Sequence, residues 1–211
     1  MFTEEPPKYI SLLSDFGFKR IFKHEKHPEI LKDFIESVIP ELSIKTIVFK
    51  DTEQNNETKK DRRSIFDIYC QLNNGEMIIV ELQNAKQDNY KDRSIYYSSI
   101  ALKDQGQKGT WDYCLYPTYI ISILNFRMEK QDPHLIHNVF LYSEQSNKEF
   151  YGKLRFIYIQ LPNLSKQWDK LQNNLEEWLF LIRNLHISKE VIMIEQSKTK
   201  RPVISEAMTL A

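Results

Sequence analysis

The sequence has no excess of charge of either sign and no long apolar run. Lysine plus arginine and aspartate plus glutamate each number 29 in 211 residues, so the formal net charge is zero. This balance argues against a broadly basic coat for nucleic acid, although it is compatible with a local basic patch. The longest apolar run, near residues 119–124, is far too short to cross a bilayer. The first residues lack the basic-then-apolar pattern of a signal peptide.

Cysteine is also scarce, with only Cys70 and Cys114 in the chain. Neither belongs to a Cys-x-x-Cys pair, and Cys70 falls among apolar residues, where a core thiol is the simplest interpretation. This usage fits a reducing cytoplasm. A hydrophobic content of 41% with 12% aromatic residues is typical of a globular chain. The length is sufficient for one domain with a sizeable core.

The most informative segment is residues 67–83, which predicts a β-hairpin. Asn73-Asn74-Gly75 forms the turn between two arms that are rich in β-branched and aromatic residues. A two-residue loop would mix apolar and polar side chains on each face of the hairpin. A three-residue loop with its glycine in the left-handed region pairs Leu72 with Glu76 and makes one face apolar throughout. The hydrophobic pattern therefore favours the three-residue loop.

This register places two acidic side chains opposite each other. Asp67 on the first arm faces Glu81 on the second, with Cβ atoms about 4.5–5.5 Å apart. Two carboxylates at that separation repel unless a cation or a shared proton lies between them. A divalent-metal site for phosphodiester cleavage is one interpretation. The other is a solvated pair of acids that is only structural, and the pattern alone leaves both open.

The rest of the pattern predicts a mixed α/β domain with the hairpin in the middle of a sheet. We expect helical turns on both sides of a break at Gly17, a helix from Pro28 to Pro40, a strand at 44–49, a long helix within 86–108, strands at 119–126, 140–142 and 154–161, and a helix at 168–185. From Ser197 the periodicity is lost.

Two groups of charged residues have both a functional and a structural interpretation. Asp15 and Lys19 could reach a site from the N-terminal segment, but their i,i+4 spacing is typical of a helix-surface pair. The basic run at 59–63 could contact DNA phosphates or be solvated.

The histidines form two pairs with i,i+3 spacing. Because neither pair has a third ligand nearby in the sequence, we interpret them as solvated residues rather than zinc ligands. The pairs are His24/His27 and His134/His137.

Four segments carry a family resemblance: Asp15-Phe-Gly-Phe-Lys19-Arg-Ile-Phe22, Arg63-Ser-Ile-Phe-Asp67-Ile-Tyr-Cys70, Val80-Glu81-Leu-Gln83-Asn-Ala85 and Tyr90-Lys-Asp-Arg93-Ser-Ile-Tyr-Tyr97. Together they resemble the PD-(D/E)XK nuclease superfamily, and within it the Rpn family of recombination-promoting nucleases, often labelled transposases. The resemblance covers residues 9–185, and the motifs are specific only in combination.

This resemblance implies an α/β fold with a restriction-endonuclease-like core, in which a central mixed β-sheet is flanked by helices. The core would span residues 1–130, and a C-terminal β/α extension packed on the core would span 131–196. Residues 197–211 would form an atypical tail. Because this ending departs from the family pattern, we expect a truncated or frameshifted copy.

The activity implied by the resemblance is metal-dependent endonucleolytic hydrolysis of DNA phosphodiester bonds, with Mg²⁺ as cofactor and Mn²⁺ as a substitute. Asp67 and Glu81 would be catalytic metal ligands, with the backbone carbonyl of Leu82 as a third ligand. Gln83 stands where the superfamily motif has lysine. Its neutral amide can position a water molecule but supplies no charge.

In the same reading, Arg93 and Tyr97 face the site from the long helix, where Arg93 binds phosphate and Tyr97 donates a supporting hydrogen bond. DNA is the expected partner, the expected location is the cytoplasm, and no membrane association is expected. The oligomeric state stays open, a homodimer included. The competing hypothesis is a catalytically inactive remnant that binds nucleic acid or another protein through the same fold.

Overall fold

The protein is described by a computed structural model for residues 8–50, 66–187 and 201–211. The helices are α1 (Asp15–Phe22), α2 (Pro28–Val38), α3 (Tyr90–Lys103), α4 (Asn174–Asn184) and α5 (Pro202–Leu210). The strands are β1 (Ile47–Phe49), β2 (Ile68–Leu72), β3 (Met77–Gln83), β4 (Thr118–Leu124), β5 (Ile136–Ser143) and β6 (Lys148–Gln160). The chain divides into two compact units, one from Ile44 to Gln160 and one that combines the residues before and after it.

The sheet lies in the unit Ile44–Gln160 and is mixed, with the strand order β1-β2-β3-β4-β6-β5. Strands β3, β4 and β6 are parallel, whereas β1, β2 and β5 join antiparallel. All seven residues of β4 are buried, as expected for a continuous apolar strand inside a sheet. The predicted α/β fold with the hairpin inside a mixed sheet is confirmed.

The hairpin has the predicted three-residue loop. The backbone N–H of Leu72 donates to the carbonyl of Glu76 over 2.9 Å. Gly75 has φ of +92°, which is the left-handed conformation that the loop requires. The predicted register is confirmed, since Ile68 pairs with Val80. Cys70 is buried in β2, as predicted for a core thiol.

Helix α3 packs on the sheet face that carries the odd-numbered side chains of β3. Its apolar side chains join a core that includes Ile79 of β3 and Phe156 of β6. On the helix, Tyr97, Ile100 and Ala101 contribute to this core. The helix therefore covers the same face to which the alternation of β3 directs Glu81.

The other unit is a helical cluster around Trp178. The indole ring lies 5.4 Å from the ring of Phe22 and 6.4 Å from that of Phe34, between ring centroids. Its Nε1–H donates to Asp33 over 2.6 Å. A buried indole is stable in such a core when its N–H has an acceptor, as it has here.

Several predicted element boundaries are wrong. Gly17 lies inside α1 and does not break it, because the turn before the helix passes so close that a Cβ at this position would lie 2.2 Å from the Ser11 carbonyl oxygen. The predicted helix 168–185 is a 3₁₀ turn followed by α4, since the Asn173 side chain caps a new helix by accepting from the N–H of Glu176.

The C-terminal part also differs from expectation. β5 and β6 form a longer hairpin than predicted. Its outer part is exposed even where it is apolar, as at Leu141, Tyr142 and Phe150, so it lacks the buried alternation that predicts a strand. The predicted loss of periodicity from Ser197 is wrong for α5, where Ile204 is fully buried. The predicted domain boundaries at residues 130 and 196 stay a prediction. Within the described ranges, no helix is long and apolar enough to span a membrane.

Candidate active site at the hairpin

Asp67 and Glu81 meet at the end of the hairpin, one residue beyond the last ladder pair. The backbone N–H of Asp67 donates to Glu81 Oε1 over 3.1 Å. In return, the backbone N–H of Leu82 donates to Asp67 Oδ2 over 2.7 Å. Each carboxylate is thus held by the backbone of the opposite arm. The hairpin register brings the two acids together, as the sequence predicts.

Glu81 is held where its negative charge is disfavoured. Glu81 is only 4% exposed. Burial, and then the charge of Asp67, raises the pKa of Glu81 to about 8. The Asp67 backbone N–H and the Arg93 guanidinium act in the opposite direction. A positive ion beside the two acids would remove this penalty.

Arg93 pairs with Glu81 across the face of the sheet. Its Nη2 lies 3.0 Å from Glu81 Oε2, and its Nη1 donates to Gln87 over 3.0 Å. Gln83, at the motif's lysine position, donates from Nε2 to the same Glu81 oxygen over 3.4 Å. The helix α3 therefore brings Arg93 to the site, as predicted, and its observed partner is the acid.

Tyr97 lies one turn further along α3 and forms the wall of the site. Its ring packs edge-on against Phe66 with 4.8 Å between centroids, and the Arg93 guanidinium lies 5.4 Å from its centroid. Burial, and then the nearby Glu81 charge, raises the pKa of the Tyr97 hydroxyl. The hydroxyl is therefore a hydrogen-bond donor at neutral pH.

The chemistry of these donors fits a divalent cation such as Mg²⁺. Magnesium binds oxygen ligands and usually takes one or two carboxylates from the protein. Asp67 and Glu81 are two such carboxylates in contact with each other's backbone. In a strand, the N–H and C=O of one residue point to the same neighbouring strand, so the Leu82 carbonyl is directed to the side on which its N–H meets Asp67.

Comparison with models of protein families agrees with the resemblance seen in the sequence. The model of the PD-(D/E)XK nuclease family transposases matches residues 12–211. The chain belongs to this family. The matched range includes residues 197–211, which we expected to fall outside the family pattern. Searches of curated proteins and of solved structures found no match.

Membership among the PD-(D/E)XK nuclease family transposases supports a nuclease or transposase type of function. The fold agrees with it, since the mixed sheet with its central acidic hairpin is consistent with a restriction-endonuclease-like PD-(D/E)XK core. DNA is the substrate that a nuclease family implies.

The sequence also offered two groups of charged residues as candidates, and the structure describes only the first of them, the pair Asp15 and Lys19. Lys19 Nζ lies 2.6 Å from Asp15 Oδ1 on the exposed side of α1, so the predicted i,i+4 surface pair is confirmed. The basic run 59–63 lies outside the described residues.

The histidines of the β4–β5 connection are a residue group that sequence reasoning missed. The expectation that His134 and His137 have no third ligand nearby is wrong, because Asp132 lies between them in space. The backbone N–H of His134 holds the pKa of Asp132 well below its usual range. The signal was visible as Asp132-Pro133-His134, followed three residues later by His137.

Proposed function

We propose that this family member is a divalent-metal-dependent DNA endonuclease that hydrolyses phosphodiester bonds, and that Asp67, Glu81 and Gln83 form its catalytic centre. The observation that carries the proposal is the pair Asp67–Glu81. Two carboxylates are held together by backbone hydrogen bonds, and one of them is 4% exposed. Such an arrangement is costly for a merely structural pair and useful for one that binds a cation.

The residues divide the work by their chemistry. Asp67, Glu81 and the Leu82 carbonyl would hold Mg²⁺, or Mn²⁺ in its place. When bound, the cation polarises the phosphoryl group and lowers the pKa of a coordinated water. Gln83 cannot supply the positive charge of a lysine, so its amide would position the attacking water through a hydrogen bond.

Arg93 would contribute the positive charge that Gln83 lacks. Its Nη2 donates to Glu81 and its side chain is 32% exposed, so the outer edge of the guanidinium can bind a DNA phosphate while the inner edge stays on the acid. Tyr97 beneath it would limit the positions available to the guanidinium. We propose both as substrate-binding residues on these contacts.

The test is nicking of supercoiled plasmid by the full chain with Mg²⁺, with Mn²⁺ or with EDTA. We expect nicking with either metal, none with EDTA, and a loss of nicking in Glu81→Gln. Glu176→Gln is a matched control, because Glu176 is also a buried acid, 9% exposed. It pairs with Lys166, and both residues belong to the other unit. Equal nicking by Glu81→Gln and the wild type would refute the assignment.

One observation favours a second candidate, a DNA- or protein-binding module without catalysis. Arg93 already compensates Glu81, so the acid has a cationic partner within the protein itself. In that case the protein retards DNA in a gel with or without Mg²⁺, and no metal supports nicking. DNA binding together with metal-dependent nicking would exclude this candidate.

A further inference from the structure

A three-residue cluster lies where the β4–β5 connection enters β5, away from the hairpin acids. Asp132 Oδ1 is 2.9 Å from His134 Nδ1, and Asp132 Oδ2 is 2.6 Å from His137 Nε2. One potential ligand atom from each residue lies within 4.8 Å of the other two. Two ligands on one tetrahedral ion, each about 2.0–2.1 Å from it, stand about 3.3 Å apart, so these contacts would need to open only slightly, by small side-chain rotations, to admit a cation.

A buried glutamine holds this cluster in place. Gln160, the last residue of β6, is 0% exposed. Its amide donates to Asp132 Oδ2 over 2.8 Å and to the His134 carbonyl over 2.9 Å, and its oxygen accepts from the backbone N–H of Met128. A carboxylate oriented by a buried hydrogen-bond donor is the usual surrounding of a metal ligand. The carboxylate of Asp132 therefore has a fixed orientation before any ligand binds.

The cluster also has an entry path. All three side chains line a cavity of about 780 Å³, which is otherwise bounded by apolar side chains of β5 and β6 and by Lys91 and Ile95 of α3. The side chain of His134 is 70% exposed and that of His137 is 28% exposed. A cation held by the three residues would keep a coordination position open to this cavity.

We propose that Asp132, His134 and His137 form a second cation site, for a transition-metal ion of the Zn²⁺ class. Two imidazole nitrogens and one carboxylate suit Zn²⁺, whereas Mg²⁺ prefers oxygen ligands alone. The site ties the β4–β5 connection to the end of β6. This inference is independent of the proposed nuclease activity.

The sheet register separates this site from the hairpin acids. Gln83 pairs with Leu124, and Leu124 pairs with Gln160, so Gln83 and Gln160 lie in one row with a strand between them. Two strand spacings place their Cα atoms about 10 Å apart. Two ions that act on one phosphate lie only about 3.5–4 Å apart. The second cation therefore does not complete a two-metal centre with the hairpin acids.

The test is calorimetric titration of the full chain with Zn²⁺ in excess Mg²⁺. The exposed thiol Cys114 is replaced by serine in every variant. We expect one Zn²⁺ per chain in the parent and its loss in His134→Gln/His137→Gln. His24→Gln/His27→Gln is the matched control, because that pair has the same sequence spacing but does not form such a cluster among the described residues. It should keep the bound ion, as should Asp67→Asn.

Thermal unfolding gives a second readout. Zn²⁺ should raise the Tm of the parent and of the His24→Gln/His27→Gln control, because an ion that binds only the folded state stabilises it. It should leave the Tm of His134→Gln/His137→Gln unchanged. The proposal is overturned if His134→Gln/His137→Gln binds Zn²⁺ as the parent does, or if the parent binds none.

Discussion

Glu81 combines an acidic side chain with a place in the sheet that disfavours its ionisation. Burial and Asp67 act against the charge, while Arg93 and the backbone N–H of Asp67 support it. Removing the negative charge of Asp67 should lower the pKa of Glu81, and removing the positive charge of Arg93 should raise it. These effects on the pKa of Glu81 can be tested without any assumption about DNA.

The first test is the pH dependence of stability. The folded-state pKa of Glu81 is raised from 4.5 to about 8. Between these values the unfolded chain is ionised at Glu81 while the folded chain retains its proton. The contribution of Glu81 to the free energy of unfolding is thus fully present below pH 4.5 and is lost as the pH rises through 8. Urea unfolding of the wild type without metal should show this decline, and Glu81→Gln should lack it. Parallel profiles would contradict the account.

The second test concerns Arg93, whose charge lowers the pKa of Glu81. Arg93→Gln removes that charge, so the decline in stability should extend to higher pH than in the wild type. Arg93→Lys keeps the positive charge and should preserve more of the original profile, although a lysine cannot reproduce the two guanidinium contacts, one with Glu81 and one with Gln87. The urea measurement applies again. An unchanged midpoint in Arg93→Gln would show that the ion pair at 3.0 Å does not persist in solution.

At this scale the sequence predicts partners that local pattern determines. The opposition of Asp67 and Glu81 follows from period-two alternation and the loop length, so it could be predicted. The ion pair of Arg93 with Glu81 depends on how α3 lies on the sheet, which no local pattern contains. Asp132 is a different case, because it lies two residues before His134 and the ligand spacing is present in the sequence itself.

At the scale of elements, the hairpin loop sets the register on which the site depends. Gly75 has φ of +92°, and a Cβ there would lie 2.6 Å from the ring of Tyr116. Gly109 has φ of +87° with no atom within 4 Å of such a Cβ. Both glycines thus have a positive φ that other residues rarely adopt, but an added Cβ would meet a side chain only at Gly75.

Alanine substitutions at these glycines should therefore differ. Gly109→Ala should cost about 1 kcal/mol of unfolding free energy, the lower end of the range for a non-glycine residue at positive φ. Gly75→Ala should cost more, because Tyr116 must also move. In a Tyr116→Ala background the excess should disappear. Equal costs for the two glycines in urea unfolding would show that the loop does not depend on this contact.

Elements were predicted well where apolar residues repeat with a clear period, as in β2, β3 and β4. The helix expected at 168–185 was too long because Trp168 and Leu171 fit the spacing of the later apolar residues. The helix instead begins at the cap residue Asn173, whose side chain accepts from the N–H of Glu176. In the sequence, an asparagine followed three residues later by a glutamate is a local signal for this helix start. Strand β5 is largely exposed and its apolar residues do not alternate with polar ones, so its length could not be predicted.

At the scale of the whole molecule, the described chain forms two units, of which one joins residues from both ends of the sequence. Within that unit Arg201 pairs with Asp33 and, over 3.0 Å, with Glu177. The pairing joins segments 168 residues apart in the sequence. Periodicity within a segment contains no information about such a pairing, so the sequence could not predict it.

Helix α5 should contribute measurably to stability. Ile204 is 0% exposed, and Ile204→Ala should cost about 2–5 kcal/mol of unfolding free energy, as removal of a buried isoleucine side chain does. Ser205→Ala on the exposed side of the same helix should change it by less than about 0.5 kcal/mol. Similar small effects for both variants would mean that α5 does not pack as described.

The central claim is that Asp67 and Glu81 act together on a DNA phosphodiester. The measurement that tests it most directly is the single-turnover rate of plasmid nicking in Mg²⁺ for the wild type and for Asp67→Asn, an isosteric change that removes one carboxylate. The account predicts a loss on the order of 10²-fold or more, the size of effect that follows removal of one electrostatic contact from an active site. A rate for Asp67→Asn equal to that of the wild type would contradict it.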